Sequence, residues 1–242
     1  MVIAALSIAI IYFLVCNHIW RLPYSNSHPR FLMYHTVGDV HPKMSVKPEQ
    51  FEKQMKLLIK MGYKFHKMSD VNIMNSFNKD IFITFDDGFV DNYTMVFPLI
   101  KKYNIPITIY IAPNISDIEK LSSEQIIEMK NSGLVEFGAH SMNHVNLTKL
   151  DKEKMIHEIK ESKEYIEKIT GQKCDSFAYP FGQFNQDVKN AVINSDMKNA
   201  VTTKKKVLSS IDNKFEIPRI GITRNMSLLQ FYIALTRARY RF

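Results

Sequence analysis

The stretch Ile81-Phe82-Ile83-Thr84-Phe85-Asp86-Asp87-Gly88 decides how the rest of the chain is read. Five residues of high strand propensity run into two adjacent carboxylates and a glycine, the pattern of a buried strand that ends at a turn. Asp is a poor strand former, so Asp86 and Asp87 belong at the strand's C-terminal end. Two acids at such a place must be hydrogen-bonded, paired with a cation, or partly protonated. Taken alone, the octet is equally compatible with an ordinary strand-to-turn junction in which Asp86 caps the next helix.

The surrounding pattern places this octet in an alternating fold. Residues 31–34 form a short strand that ends at His35. Residues 48–61 read as an amphipathic helix, with Phe51, Met55, Leu58 and Ile59 on one face and Gly62 after its end. A helix over 92–103 follows the octet, with Asp91 as its N-cap, and then a strand over 105–111. Next come a helix over 122–131 capped by Ser122, a strand over 134–137, and a long helix over 151–169 that stops at Gly171. The series closes with strands at 176–179, 200–202 and 216–220 and helices at 187–195 and 227–236. Such alternation specifies parallel strands joined by crossover helices, either open or closed into a barrel. No Gly-x-Gly-x-x-Gly and no Walker glycine loop is present, which argues against a nucleotide-binding sheet.

The 242 residues accommodate one such domain and an N-terminal appendage. Residues 2–16 are almost continuously apolar, and Trp20 and Arg21 follow, so residues 1–20 suit an uncleaved membrane anchor, with a cleaved signal segment as the rival. Residues 21–30 read as a linker, and the domain occupies 31–242. No basic residue precedes the apolar run, and no small-x-small cleavage site follows it. The net charge of +8 suits an anionic membrane surface or an acidic polymer nearby, but no nucleic-acid recognition module appears. Cys16 and Cys174 have no zinc-type spacing, and a disulfide between them is not expected. His41 and His66 read as surface residues without partners.

Chemistry-bearing residues collect where the strands end. His35 follows the first strand, Asp86 and Asp87 the second, His140 and His144 the strand at 134–137, and Pro180-Phe181 the strand at 176–179. Sites in parallel α/β folds are built at that end of the sheet. The i, i+4 spacing of His140 and His144 would place both imidazoles on one helical turn. Two histidines with a neighbouring carboxylate are the ligands of a catalytic metal site that keeps open positions. Zn²⁺ is the default for this donor set, with Co²⁺, Ni²⁺, Mn²⁺ or Fe²⁺ also suited to it.

Three motifs in order carry a family resemblance: Thr84-Phe85-Asp86-Asp87-Gly88, His140-Ser141-x-x-His144, and Phe177-Ala178-Tyr179-Pro180-Phe181-Gly182. Together they resemble the polysaccharide deacetylases (the NodB-homology, carbohydrate esterase family 4 proteins) over about residues 31–222. The resemblance implies a distorted (β/α) barrel of about seven strands and metal-dependent removal of N-acetyl groups. It assigns Asp86 as general base and Asp87, His140 and His144 as metal ligands. Ala178 stands where many members carry Arg, and no histidine follows His157 to supply the late general acid. The Phe-Ala-Tyr-Pro form instead resembles the branch acting on poly-N-acetylglucosamine exopolysaccharides. In that branch an early Tyr-His, here Tyr34-His35, takes the acid's role. Arg219 resembles the branch's late Arg, which orients the base, and Tyr179, Pro180, Phe181 and Arg219 make up the expected substrate-binding set.

The expected function is therefore deacetylation of N-acetylhexosamine units in a surface or extracellular polysaccharide, by a domain anchored on the outer side of a membrane. A deacetylase or deformylase of a lipid-linked sugar, and a catalytically inactive glycan-binding subunit, are the alternatives.

Overall fold

In a computed structural model of the chain, residues 22–208 and 213–238 are described, together with Ser7, Ile11, Tyr12 and Val15. The segment expected to anchor the chain, residues 1–20, thus lies outside the described residues except at those four positions. Among the described residues no helix is long and apolar enough to cross a membrane.

Among the residues of the domain described from residue 22 onward, ten strands and six α-helices follow in order. They are β1 (Arg30–Tyr34), β2 (Thr36–Val37), β3 (Ser45–Val46), α1 (Pro48–Lys60), β4 (Lys64–His66), β5 (Asp80–Phe85), α2 (Phe97–Tyr103) and β6 (Ile107–Ile111). After these come α3 (Ser123–Asn131), β7 (Val135–Ala139), α4 (Lys152–Thr170), β8 (Ser176–Ala178), α5 (Gln186–Asn194), β9 (Asn199–Val201), β10 (Ile220–Gly221) and α6 (Leu228–Arg237). The main sheet is parallel throughout in the order β10-β1-β5-β6-β7-β8-β9, and the short β4 lies beside the start of β5. It is a curled seven-strand half-barrel. The two edges approach at one place: Ile217 bridges to Val201 of β9, and Ile220 pairs with Leu32 of β1. The expected strand over 216–220 is accordingly shorter and shifted to Ile220–Gly221, because Pro218 has no N–H to give a ladder.

Strand alternation sorts the side chains into two cores. Ile81, Ile83 and Phe85 of β5 pack outward under the helices with Leu32, Tyr34, Ile107, Ile109 and Phe177. Phe82 points into the concave side with Phe31, Tyr110, Ala178, Val201 and Ile217. Thr84 and Asp86 share the parity of Phe82, so the barrel interior becomes polar just below its mouth. Gly138 is required there: a Cβ at this position would lie 2.5 Å from the Tyr110 ring.

Residues 24–30, read as linker, are bound to the domain. Tyr24 N donates to Thr236 O at 2.8 Å, and the buried Arg30 donates to the carbonyls of Leu235 and His28. Two further expectations are corrected. His66 is not unpartnered: its Nε2 lies 2.7 Å from Asp80 Oδ1. His41 Nδ1 accepts from the backbone of Lys43 and Met44, each at 3.2 Å, and so closes its own turn. Cys174 is buried and free.

Candidate active site

β5 delivers both acids and then separates them. The ladder to β1 runs in register to Tyr34↔Phe85, and Asp86 N still donates to Tyr34 O at 3.0 Å. Asp86 therefore keeps the inward direction of the strand. The backbone then turns left-handed at Asp87 (φ 74°) and Gly88 (φ 77°), which re-aims Asp87 toward β7. A non-glycine residue in that region costs on the order of 1–3 kcal/mol, a strain that concentrates at functional sites.

Asp86 is clamped by Arg219. Arg219 Nη1 and Nη2 donate to the two carboxylate oxygens at 2.6 and 2.7 Å. Both residues are buried, and Arg219 is held in turn by Thr84 Oγ1 at 2.9 Å, by Thr202 O at 3.1 Å and by the Tyr110 ring face. Arg219 comes from the seam between β9 and β10, so closing the curled sheet brings it to Asp86. Burial pushes the Asp86 carboxyl up, but Arg219 outweighs burial and holds it at about 2. Asp87 has no such partner. Burial first, then the charge of Asp86, raises it to about 7.

His140 and His144 flank Asp87. Their Nε2 atoms lie 3.6 and 3.4 Å from Asp87 Oδ1, too far for good hydrogen bonds. Asp87 Oδ1 is buried with no hydrogen-bond partner. His140 Nδ1 lies 2.7 Å from Ala178 O, which places a proton on Nδ1 and leaves the Nε2 lone pair facing Asp87. Burial lowers the pKa of both imidazoles, that of His140 to about 3, so they stand as neutral donors. The three donor atoms lie within 4.8 Å of one another. Ligands about 2.1 Å from a tetrahedral cation stand about 3.4 Å apart, so this set fits one. The pair does not sit on a helical turn, contrary to the i, i+4 expectation. The segment is a loop with left-handed Ser141 (φ 58°) and His144 (φ 50°), which brings the rings to 4.8 Å between centroids.

His35 follows β1 at the same mouth. Burial lowers its pKa, the charge of Asp86 opposes this, and Arg219 and His144 reinforce it. Its Nδ1 is buried without a hydrogen-bond partner, and its carbonyl accepts from Asn92 Nδ2 at 3.0 Å. Asp91 stands at the N-cap position of the helical turn Asn92–Val96, but its side chain makes no capping bond there. Its carboxylate accepts from Thr36 Oγ1 and from Val37 N, which fixes the backbone just beyond His35.

The expected substrate-binding set divides. Phe181, in a left-handed conformation (φ 59°), is 56% exposed, and its ring packs on His144 at 4.6 Å. Pro180 is buried beneath it. Tyr179 is fully buried, stacks on Phe184 and donates to Phe215 O at 3.1 Å. Arg219 faces Asp86 rather than the mouth. Sequence reasoning missed Glu158, whose carboxylate binds the loop between the two histidines. Its signal was an acid three residues after Met155, on the buried stripe of α4.

An Arg-clamped carboxylate thus stands beside an Asp-His-His donor set at the C-terminal mouth of a curled parallel sheet. The family model for polysaccharide deacetylase matches residues 75–200, and the chain belongs to that family. It is 27% identical over 221 residues to the poly-β-1,6-N-acetyl-D-glucosamine N-deacetylase of Staphylococcus aureus (strain MRSA252), covering 84% of this chain and 76% of that one. Its fold matches BC0361, a polysaccharide deacetylase from Bacillus cereus, with TM-score 0.77 and 31% identity over 86% of this chain and 69% of the other. Streptococcus pyogenes deacetylase PplD, solved in complex with acetate, matches with TM-score 0.77 and 26% identity over 87% and 97% of the two chains.

Proposed function

We propose that this polysaccharide deacetylase removes the acetyl group from N-acetylhexosamine units of a poly-N-acetylglucosamine-like polymer, with one divalent cation held by Asp87, His140 and His144. The observation that carries the reading is the unequal treatment of the two adjacent acids. Asp86 is ionised against Arg219, while Asp87 is buried, unpaired and faced by two neutral imidazole nitrogens. Zn²⁺ is the metal that best matches two nitrogens and one oxygen. When bound, the cation supplies Lewis acidity, lowering the pKa of water and polarising the acetamide carbonyl.

The chain's own residues carry the proton chemistry. Asp86 accepts a proton from the attacking water, and Arg219 keeps that carboxylate oriented. His35 gives a proton to the departing sugar nitrogen, so the C–N bond breaks to acetate and a free amine. Burial lowers the His35 pKa, and the neighbouring Asp86 carboxylate opposes this by favouring the imidazolium that gives the proton. The Phe181 N–H is assigned to the oxyanion. The exposed Phe181 ring offers an apolar face for a sugar or acetyl methyl.

Acetate release from N-acetylglucosamine oligomers tests the reading, with chelated and Zn²⁺-restored protein. Turnover should vanish on chelation and in Asp87→Ala. His35→Ala should lower kcat by about 10²–10⁴ without weakening metal binding. Full turnover in chelated Asp87→Ala would overturn the metal assignment.

We also propose that residues 1–20 tether the domain to the outer side of a membrane. Their apolar composition supports this, as does the polymer named for the Staphylococcus aureus relative. Fractionation of the full chain against a chain lacking residues 1–20 checks it: only the former should sediment with membranes.

A further inference from the structure

The loop between the two histidines, Ser141-Met142-Asn143, has its own buried anchor. Glu158 on α4 accepts from Met142 N at 2.9 Å and from Asn143 N at 2.9 Å through one oxygen. Its other oxygen accepts from Asn143 Nδ2. Two successive N–H groups thus converge on one carboxylate, as in an anion-binding nest. Glu158 is 9% exposed, on the same face of α4 as Met155 and Ile159. Asn114 also holds the loop, its N donating to Met142 O at 2.8 Å.

This loop is not a relaxed one. Ser141 and His144 both hold left-handed backbone, and the Ser141 hydroxyl is buried without a partner. Left-handed non-glycine residues persist only where surrounding contacts over-determine them. Charge-assisted bonds from backbone N–H to carboxylate are about twice as strong as neutral ones, and Glu158 supplies two on consecutive residues.

We infer that Glu158 is a positioning residue that presets the His140–His144 separation for the cation. It touches neither histidine and acts only through the backbone between them. The inference rests on the reading of Asp87, His140 and His144 as metal ligands. Loss of a partner that orients metal ligands lowers affinity by about 10–100-fold. Glu158→Ala should show that loss in full. Glu158→Gln is isosteric and still accepts from both N–H groups, but it is neutral and meets Asn143 Nδ2 with a second donor. It should weaken binding by about tenfold.

The test is calorimetric titration of chelator-stripped full chain with Zn²⁺, paired with thermal unfolding of stripped and Zn²⁺-loaded protein. Glu161→Gln, an exposed acid one turn along α4, removes the same charge and should bind as wild type. A merely structural role lowers the Tm of both forms equally. A positioning role shrinks the rise in Tm that Zn²⁺ brings. Glu158→Gln carries the test should Glu158→Ala not fold. Wild-type affinity in folded Glu158→Gln, or an equal loss in Glu161→Gln, overturns the inference while the metal site stands. Absence of Zn²⁺ binding by wild type, or unchanged binding by Asp87→Ala, overturns the metal reading and the inference with it.

Discussion

Replacing Arg219 by Gln should cost more than any other single change at the mouth. Arg219 is fully buried, and its two bonds to Asp86 measure 2.6 and 2.7 Å. The Asp86 carboxyl stands at about 2, against an ordinary 3.8, although burial by itself drives it upward. That lowering favours the ionised form by about 2 kcal/mol, net of burial. Removing one partner of a buried pair costs about 3–5 kcal/mol, because the remaining charge is stranded. Urea unfolding of metal-free protein at pH 7 should show a loss of that size for Arg219→Gln. A cycle with Asp86→Asn and the double variant should return a coupling energy of at least about 2 kcal/mol. The sign follows from linkage. A depressed carboxyl stabilises the fold above its unfolded value of 3.8, and that share is lost as pH falls from about 4 to about 2. Carbon-13 titration of the Asp86 carboxyl in Arg219→Gln should place it above 3.8, where burial alone leaves it. A coupling energy under about 0.5 kcal/mol, with the carboxyl still near 2, would refute the clamp.

Asp87 should behave oppositely in stripped protein: its carboxyl is raised to about 7, so stability should fall as pH rises from about 4 to about 7, by up to about 4 kcal/mol. Urea unfolding at pH 5 and 7.5 should show this slope in chelated wild type and not in Asp87→Asn or Zn²⁺-loaded protein. Tyr179→Phe deletes one bond to Phe215 O in the core and should cost about 1 kcal/mol by thermal unfolding with KM unchanged. Gly138→Ala puts a methyl 2.5 Å from the Tyr110 ring and 2.9 Å from Ser176 O, and calorimetry should register about 1–3 kcal/mol of destabilisation.

Local pattern carried the sequence reading a long way. The octet at 81–88 became β5 (Asp80–Phe85) and its acidic turn, and the helices at 48–61, 122–131 and 151–169 appear within a residue or so of those bounds. Ser122 caps α3 through Gln125 N, as a Ser-x-x-Gln box should. Hydrophobic period and capping chemistry are properties of neighbours in the chain, so they are legible without coordinates. The donor set was legible for a related reason: parallel strands put their C-terminal ends on one rim, so His35, Asp86, Asp87, His140 and His144 had to come near each other.

What the sequence by itself determined is thus the alternating parallel fold and the rim on which the chemistry stands. What only tertiary structure decided is how each group on that rim is biased. Asp86 and Asp87 are chemically identical neighbours, and in the sequence only the family resemblance tells them apart. They diverge because the sheet curls until the β9–β10 seam brings Arg219 to one of them, 133 residues away in sequence, and because a left-handed turn re-aims the other at two histidines. Glu158 was invisible as a site residue for the same reason. An acid on a helix reads as solvated face until packing shows which backbone it holds. Electrostatic bias depends on burial and on distant partners, and those exist only once the chain has folded.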